Sequence, residues 1–548
     1  MQLRTWQSKA FDKVINEIKE NKIVALQSPT GSGKTLFALF VGFKEFKKIL
    51  FVVRTHNQFY PVYKEILNNF PDKSFSFLTG KPVSCVYADK TVEPEDINCK
   101  FCNIFTAIQV KVDRPPFQFL DSLKELGAEE GFCPYHSLHL SAEKSDVLTI
   151  TYPYLFLPPL RETLDIDLEE YFIVIDEAHN LDSLSDYDER TLSEQTLVSA
   201  MSQSSSTSVN KILEKLRLFV KKNVNPNDKY VEVKNLLRLD EDEEELVEDE
   251  YIKLRDKMIL DRKIRKNYIG SVIKFVKSLK EENVKLFSIS GKLVIKKLDI
   301  SKYLEILEKS NLAILMMSGT LPPPEYISKV WGIKREISYI DVESEFGLKG
   351  WGRKNFLLAK DVTTSYSFRS EIMWRKYASY LMRIYYSSIN NVLAVTPSYE
   401  TLQKISTLLE NNISVIVENK DTTIEDIEKA IKRGKTLIMG VARGKFSEGI
   451  EFTENRRSLI TDIAIVGIPY PSTDDFAKAK IETISKRVNG DVRELLFSIP
   501  ALVAVRQIIG RAIRNEFDSP NIWLLDKRFD SEWWKNKLGA FNAKKIRL

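Results

Sequence analysis

The chain has 548 residues, 43% of them hydrophobic and 29% charged, with a formal net charge of +5. That length calls for about three or four domains, and the composition is that of a chain able to bury large cores. A charge this small does not by itself mark a nucleic-acid binder. No stretch reaches the roughly 18 apolar residues of a membrane span, and MQLRTWQSKAFD lacks an apolar leader segment, so a cytoplasmic protein without a membrane partner is expected.

The first strong signal is KIVALQSPTGSGKTLFALFVGF. IVAL predicts a buried strand and TLFALFVGFKEF a helix, with SPTGSGKT between them. This fits a P-loop except that Ser28 stands where glycine is usual. Across Ser28, Pro29, Thr30, Gly31, Ser32 and Gly33, the two glycines let backbone N–H groups turn inward around phosphate oxygens. Lys34 can reach the β- and γ-phosphates, and the Thr35 hydroxyl can ligate magnesium. Further on, YFIVIDEAHN predicts a parallel strand ending at Asp176 and Glu177. One carboxylate there can hold magnesium and the other can polarise water. Together the two segments predict an ATPase.

All four cysteines fall between these motifs, at Cys85, Cys99, Cys102 and Cys133. Four thiolates in one insertion suit either a tetrahedral zinc ion or an iron–sulfur cluster, and the spacing does not choose. Residues 206–309 form a charged, helix-rich segment, with LDEDEEELVEDE acidic and KLRDKMILDRKIRK basic. The acidic run reads as a solvated helical hairpin that would repel phosphate. The basic run, with Tyr268 and Phe275 nearby, could line a strand path. After GLKGWGRKNF, a linker, the runs VLAVT, TLIMGV, IAIVGI and IWLLD alternate with helical stretches, as a second parallel sheet requires. In QIIGRAIR, Arg511 and Arg514 are expected on one helix face, where both could meet a γ-phosphate.

DEAH at 176–179, LMMSGT, GKFSEGIEF and QIIGRAIR together resemble the motifs of superfamily 2 helicases. With LTGKPVSC entering the cysteine window, FCPYHSL leaving it and TYPYLF beyond, nearly the whole chain is similar to the XPD family, related to DinG and FancJ. The resemblance implies an α/β fold of two RecA-like parallel-sheet motor domains, with a cluster insertion and a mainly helical arch. The expected boundaries are 1–80, 148–205 and 310–346 for the first motor domain, 81–147 for the cluster module, 206–309 for the arch and 347–548 for the second motor domain.

The resemblance also implies a 4Fe–4S cluster on Cys85, Cys99, Cys102 and Cys133, with ATP and Mg2+ at Lys34, Thr35 and Asp176. Glu177 activates water and Arg511 and Arg514 act as arginine fingers. Gln507, Gly449, Arg4 and Gln7 join the nucleotide site, and Glu448 and Glu451 lie in the same sensing motif as Gly449. Thr55, His56, Ser398 and Tyr399 are candidate DNA contacts, although a lone histidine after a strand is as often structural. The expected activity is an ATP-dependent 5′–3′ DNA helicase of excision repair, acting as a monomer on single-stranded and forked DNA with other repair proteins as partners. An ATP-gated DNA clamp or damage sensor is the alternative, and a zinc-stabilised interaction arm a third.

Overall fold

The computed structural model describes residues 3–102, 106–235, 237–348, 351–410, 412–446, 452–454 and 457–548. Runs such as IVAL, ILFVV, FIVI and AILMM offer water no polar face. They therefore form strands covered on both sides by helices, the condition for a parallel sheet. Seven such strands make the first sheet, in the order Ile337–Asp341, Ile23–Gln27, Ala313–Ser318, Tyr171–Asp176, Lys48–Val53, Val147–Thr151, Phe75–Phe77. Every neighbouring pair is parallel. All carboxyl ends thus share one rim, where ligands of α/β sheets bind. The register pairs Gln27 with Ser318 and Asp176 with Met317, which sets the P-loop, the DEAH segment and the SGT turn side by side.

The second sheet is also seven-stranded and parallel, in the order Val415–Val417, Leu437–Val441, Asn391–Thr396, Ile460–Val466, Asn521–Leu525, Asn355–Ala359, Lys544–Ile546. The two α/β cores expected from the sequence are therefore both present.

Two insertions leave the first sheet. One, between Phe77 and Val147, carries all four cysteines and the helices Pro116–Glu130 and Pro134–Ala142. The other, between Asp176 and Ala313, packs the helices Glu194–Gln203, Thr207–Asn223, Glu241–Leu260 and Tyr268–Ser278 around their own apolar core. It also contains a four-stranded antiparallel sheet built from Arg190–Ser193, Lys292–Lys297, Val284–Ile289 and Val231–Glu232. Sequence reading did not foresee these strands.

The acidic run differs from expectation too. It and the start of the basic run share one continuous helix, Glu241–Leu260, rather than two arms of a hairpin. Asp240 caps it in a reciprocal box with Glu243, and four acidic residues fill its positive first turn. Lys215, Lys277 and Lys280 of neighbouring helices pair with Glu243, Glu248 and Glu244, so the run is partnered as well as solvated.

The insertions meet each other. Val92 and Ile97 of the cysteine module form a small core with Ile259 and Ile264, and Ala88 bridges to Ile264. Beside it, Lys274 Nζ lies 2.7 Å from Asp96 Oδ1, 3.1 Å from Glu93 Oε2 and 3.1 Å from Glu95 Oε2. Arg190 pairs with Glu93 at 2.8 Å and Glu95 at 2.9 Å, and Tyr251 donates to Asp96 Oδ1 at 3.0 Å. Burial pushes the Asp96 carboxyl up, and Lys274 offsets this only in part. On its other side the second insertion touches the second motor domain. The Tyr230 and Phe287 rings lie 5.3 and 5.7 Å from Phe476, and Asp475 N–H donates to the Tyr230 carbonyl at 3.2 Å. No helix among the described residues is long and apolar enough to cross a membrane.

Removing one partner of a buried charge cluster leaves the others uncompensated, at a cost of about 3 kcal/mol or more. Lys274→Met is therefore expected to lower the thermal midpoint by several degrees. Limited proteolysis should then cut near residues 87–98 and 259–266 sooner than in the parent chain; an unchanged cleavage pattern would mean that the apolar contact alone holds the junction.

Candidate functional site

The strand Ile23–Gln27 delivers the P-loop, and the helix Lys34–Glu45 receives it. Gly31 and Gly33 sit at φ +76° and +90°, where a side chain is strained. A Cβ on Gly31 would lie 2.2 Å from the Arg514 carbonyl oxygen, so only glycine lets the second motor domain approach this closely. Ser28, the departure from the usual pattern, is accommodated by a 2.7 Å hydrogen bond to the Ser32 hydroxyl inside the turn. Lys34 is buried and donates to the Ser28 carbonyl at 3.3 Å, which keeps its ammonium over the loop.

The N-terminal residues brace this loop from outside. Arg4 Nη1 donates to the Gly31 carbonyl at 2.8 Å, and Trp6 Nε1 to the Ser32 carbonyl at 3.1 Å. Gln7 is buried, with its amide oxygen accepting from Arg4 N–H at 2.7 Å and its amide nitrogen donating to the Gly33 carbonyl at 2.9 Å. Both ends of the Gln7 amide are thus engaged with the backbone.

Asp176 closes its strand, and Glu177 follows at φ +49°. Tyr152 Oη fixes this turn by donating to the carbonyls of Asp176 at 2.6 Å and Glu177 at 2.9 Å. Burial, reinforced by the neighbouring Glu177, pushes the Asp176 carboxyl up to about 7. Burial acts on Glu177 in the same sense, but His179, Lys34 and Arg511 together hold it down at about 2. The pair is therefore split into one carboxyl that protonates readily and one that stays ionised.

A hydrogen-bonded relay crosses from one motor domain to the other. Gln507 Nε2 stands 2.5 Å from His179 Nε2, His179 Nδ1 2.6 Å from Ser318 Oγ, and Ser318 Oγ 3.3 Å from Glu177 Oε2. These contacts link Gln507 of one domain through His179 and Ser318 to Glu177 of the other. Nothing in the sequence assigns His179 this position, because its partners lie 139 and 328 residues away.

The helix Arg493–Gly510 ends before the arginines. Arg511 is its C-cap and Arg514 lies beyond it, with its N–H donating to Asp518 at 2.7 Å. The expectation of a shared helix face is therefore corrected: the helix stops at Gly510, and the chain turns so that both arginines still line the cleft. That cleft, of about 850 Å³, is walled by Pro29, Thr30, Glu177 and His179 on one side and Gln507, Arg511 and Arg514 on the other. Its size suits a bound nucleotide and Glu177 opens onto it, whereas Lys34, Thr35 and Asp176 are not among the residues that wall it.

Thr55 lines the same cleft and caps a short turn by a reciprocal bond with Gln58. His56 instead packs its ring 5.3 Å from Phe59 and 6.1 Å from Phe117, and burial pushes its pKa down. Ser398 caps the helix Tyr399–Ser406, and the Tyr399 ring is exposed on the second motor domain with its hydroxyl on Glu418 at 2.9 Å. Gly449, Glu448 and Glu451 lie outside the described residues.

The four cysteines, up to 48 residues apart in the chain, line one cavity together with Lys81, Tyr135 and His136. Burial raises the thiols of Cys85, Cys99 and Cys133, and the thiols also act electrostatically on one another. Among the described residues no three metal-binding side chains gather tightly around one point, so the sulfurs are distributed around the cavity. A group held by four thiolates fits this donor set. Arg262, Ile259 and Ile264 of the second insertion complete the wall.

Comparison with known proteins agrees with this geometry. Residues 51–197 match the DEAD_2 family, and residues 381–542 match the helicase C-terminal domain family. The chain is 46% identical over 552 residues to the ATP-dependent DNA helicase XPD of Sulfolobus acidocaldarius, covering 100% of both chains. It superposes on a solved XPD helicase with a TM-score of 0.90 at 46% identity over 100% of both chains. It superposes on an apo XPD with a TM-score of 0.79 at 41% identity, over 98% of this chain and 100% of the other.

Because Asp176 is held up to about 7 by burial and its neighbour, the folded state binds its proton more tightly than the unfolded chain does. Ionising it costs stability as pH rises from the ordinary carboxyl range through about 7. Asp176→Asn removes that cost, so in Mg2+-free buffer it should raise the thermal midpoint at pH 8. The gain should shrink at pH 5; an equal gain at both values would mean that the repulsion is not what destabilises the site.

Proposed function

Because this chain belongs to the XPD family of ATP-dependent DNA helicases, we propose that it tracks 5′ to 3′ along single-stranded DNA and opens forked duplexes in DNA repair. The observation that carries this reading is the cleft itself. Pro29 and Thr30 of the P-loop, Glu177 and the arginines of the opposite domain face one another across it. Lys34 holds the phosphate chain, Glu177 orients and polarises the attacking water, and Arg511 and Arg514 neutralise charge on the transferred phosphoryl group. Thr35 and Asp176 would hold Mg2+, which supplies charge neutralisation there.

Opening and closing of the cleft moves Thr55, on one domain, relative to Ser398 and Tyr399, on the other, and so steps the strand. His56, packed against Phe59 and Phe117, supports this surface from behind. Both halves of the cleft come from one chain, which supports action as a monomer. Cys85, Cys99, Cys102 and Cys133 would hold a 4Fe–4S cluster, supplying a covalent core to a module with few apolar residues of its own. The support is that all four line one cavity and that the chain is similar to XPD proteins over its whole length.

A forked duplex with labelled strands tests the reading. ATP-dependent displacement is expected with a 5′ single-stranded tail and not with a 3′ tail, and Lys34→Ala should abolish it while single-strand binding persists. ATP hydrolysis without displacement would instead favour an ATP-gated clamp. Anaerobically purified protein should hold about four irons with a broad band near about 400 nm from thiolate-to-iron charge transfer. Cys102→Ser should lose iron and unwinding but keep DNA-stimulated hydrolysis; one zinc and no iron would remove the cluster assignment.

A further inference from the structure

Gln507 and Arg511 reach the cleft on the helix Arg493–Gly510, and Pro500 lies well inside that helix. A proline has no N–H, so the Leu496 carbonyl loses its helical donor, and the ring crowds that same carbonyl. In a helix of 18 residues such a break is the point of least resistance to bending.

The helix also changes partners there. Leu496 and Ile499, before the proline, are buried in the core of the first motor domain, and Val503 is the last residue of the helix to pack against it. Leu502, Val505 and Ile508, beyond the proline, are buried in the core of the second. The preceding helix, Asp475–Val488, fastens the first half, since Arg487 Nη2 donates to the carbonyls of Lys329 at 2.8 Å and Val330 at 2.9 Å. Each motor domain therefore holds one end of a single helix. Arg443, at φ +64° after the strand Leu437–Val441 of the second domain, donates from Nη2 to the Pro500 carbonyl at 3.0 Å. A cavity of about 250 Å³ lies against Pro500, Val503 and Ala504 and is shared with Asp182 and Tyr326 of the first domain. The flank of the helix at the break is thus not packed solid, so a change of angle there has space to occur.

We propose that Pro500 is a positioning residue for hydrolysis: the helix hinges there, so that closure of the two domains swings Gln507 and Arg511 toward Glu177 while Leu496 and Ile499 stay seated in the first domain. This rests on the ATPase reading and adds the joint that delivers the second domain's half of the site. An unbroken helix would have to bend against its full set of backbone bonds or pull one end out of its core.

The test measures steady-state ATP hydrolysis with saturating single-stranded DNA, and the thermal midpoint without nucleotide, in the parent chain, Pro500→Ala and Pro500→Gly. Alanine restores the N–H donor and favours a straight helix, so Pro500→Ala should raise the thermal midpoint by a few degrees. It should nevertheless lower kcat about five-fold, the effect of one backbone hydrogen bond that closure has to strain. The KM for ATP should stay within about two-fold, because the loss falls on the closed state and not on the first encounter with nucleotide. Pro500→Gly removes more of the side chain but leaves a looser backbone, so its kcat should lie closer to the parent value than that of Pro500→Ala. A loss with glycine equal to or greater than that with alanine would overturn the proposal, since packing of the ring would then be what matters. So would an unchanged kcat in Pro500→Ala, or a lowered thermal midpoint in that variant, which would mean that the proline is not a weak point of the helix. A parent chain that hydrolyses no ATP would instead overturn the ATPase reading, and the midpoints would still decide whether Pro500 breaks the helix.

Discussion

Two carboxylates adjacent in sequence and half-buried at a strand end repel each other, and much of this molecule is arranged around that repulsion. Asp176 and Glu177 cannot both be charged at neutral pH without nearby cations. Lys34 comes from the loop after Ile23–Gln27, one strand removed in the sheet, and Arg511 from the other motor domain, so the site is electrostatically complete only when the two α/β cores face each other. Glu177 is fixed by Ser318 and His179, and His179 by Gln507. The state of the second domain is thereby connected to the residue that handles water. A parallel sheet makes this possible, because it gathers residues far apart in the chain along one rim.

The parts of the site that were legible in the sequence are those whose chemistry is local. SPTGSGKT and IVIDEAH each carry strand, turn and ligand within about ten residues, so spacing alone defines the backbone that holds them. The two parallel sheets were legible for a similar reason, since unbroken apolar runs admit few other environments. What escaped depends on pairs separated by hundreds of residues: Gln507 with His179, Lys274 with Asp96. No periodicity records such pairs. Ser28 is intermediate, a visible departure whose explanation, the Ser32 hydroxyl, became clear only in three dimensions.

The helix before the arginines stops at Gly510 without a left-handed glycine, so nothing local marks its end and the helical spacing of Arg511 and Arg514 does not exclude continuation. Ser290 and Gly291, both at positive φ between LFSI and KLVIK, make the tight turn of a hairpin. Dense charge surrounds this turn, and the backbone preference of the turn residues overrides the helical bias of that composition.

The aromatic knot of Tyr230, Phe287 and Phe476 has a mechanical meaning. It ties the far end of the second insertion to the second motor domain, while the other end is tied to the cysteine module through Lys274, Asp96 and their neighbours. An insertion whose two ends are anchored on separate bodies acts as a strut in parallel with the nucleotide cleft. When the cleft changes width, the strut has to bend or one of its joints has to slip. The joint at Phe476 combines ring contacts, which vary smoothly with position, with a few hydrogen bonds to Asp474 and Asp475, whereas the charge cluster holds its geometry until it breaks. Compliance therefore resides on the side of Phe476, and the junction with the cysteine module behaves as a fixed bearing.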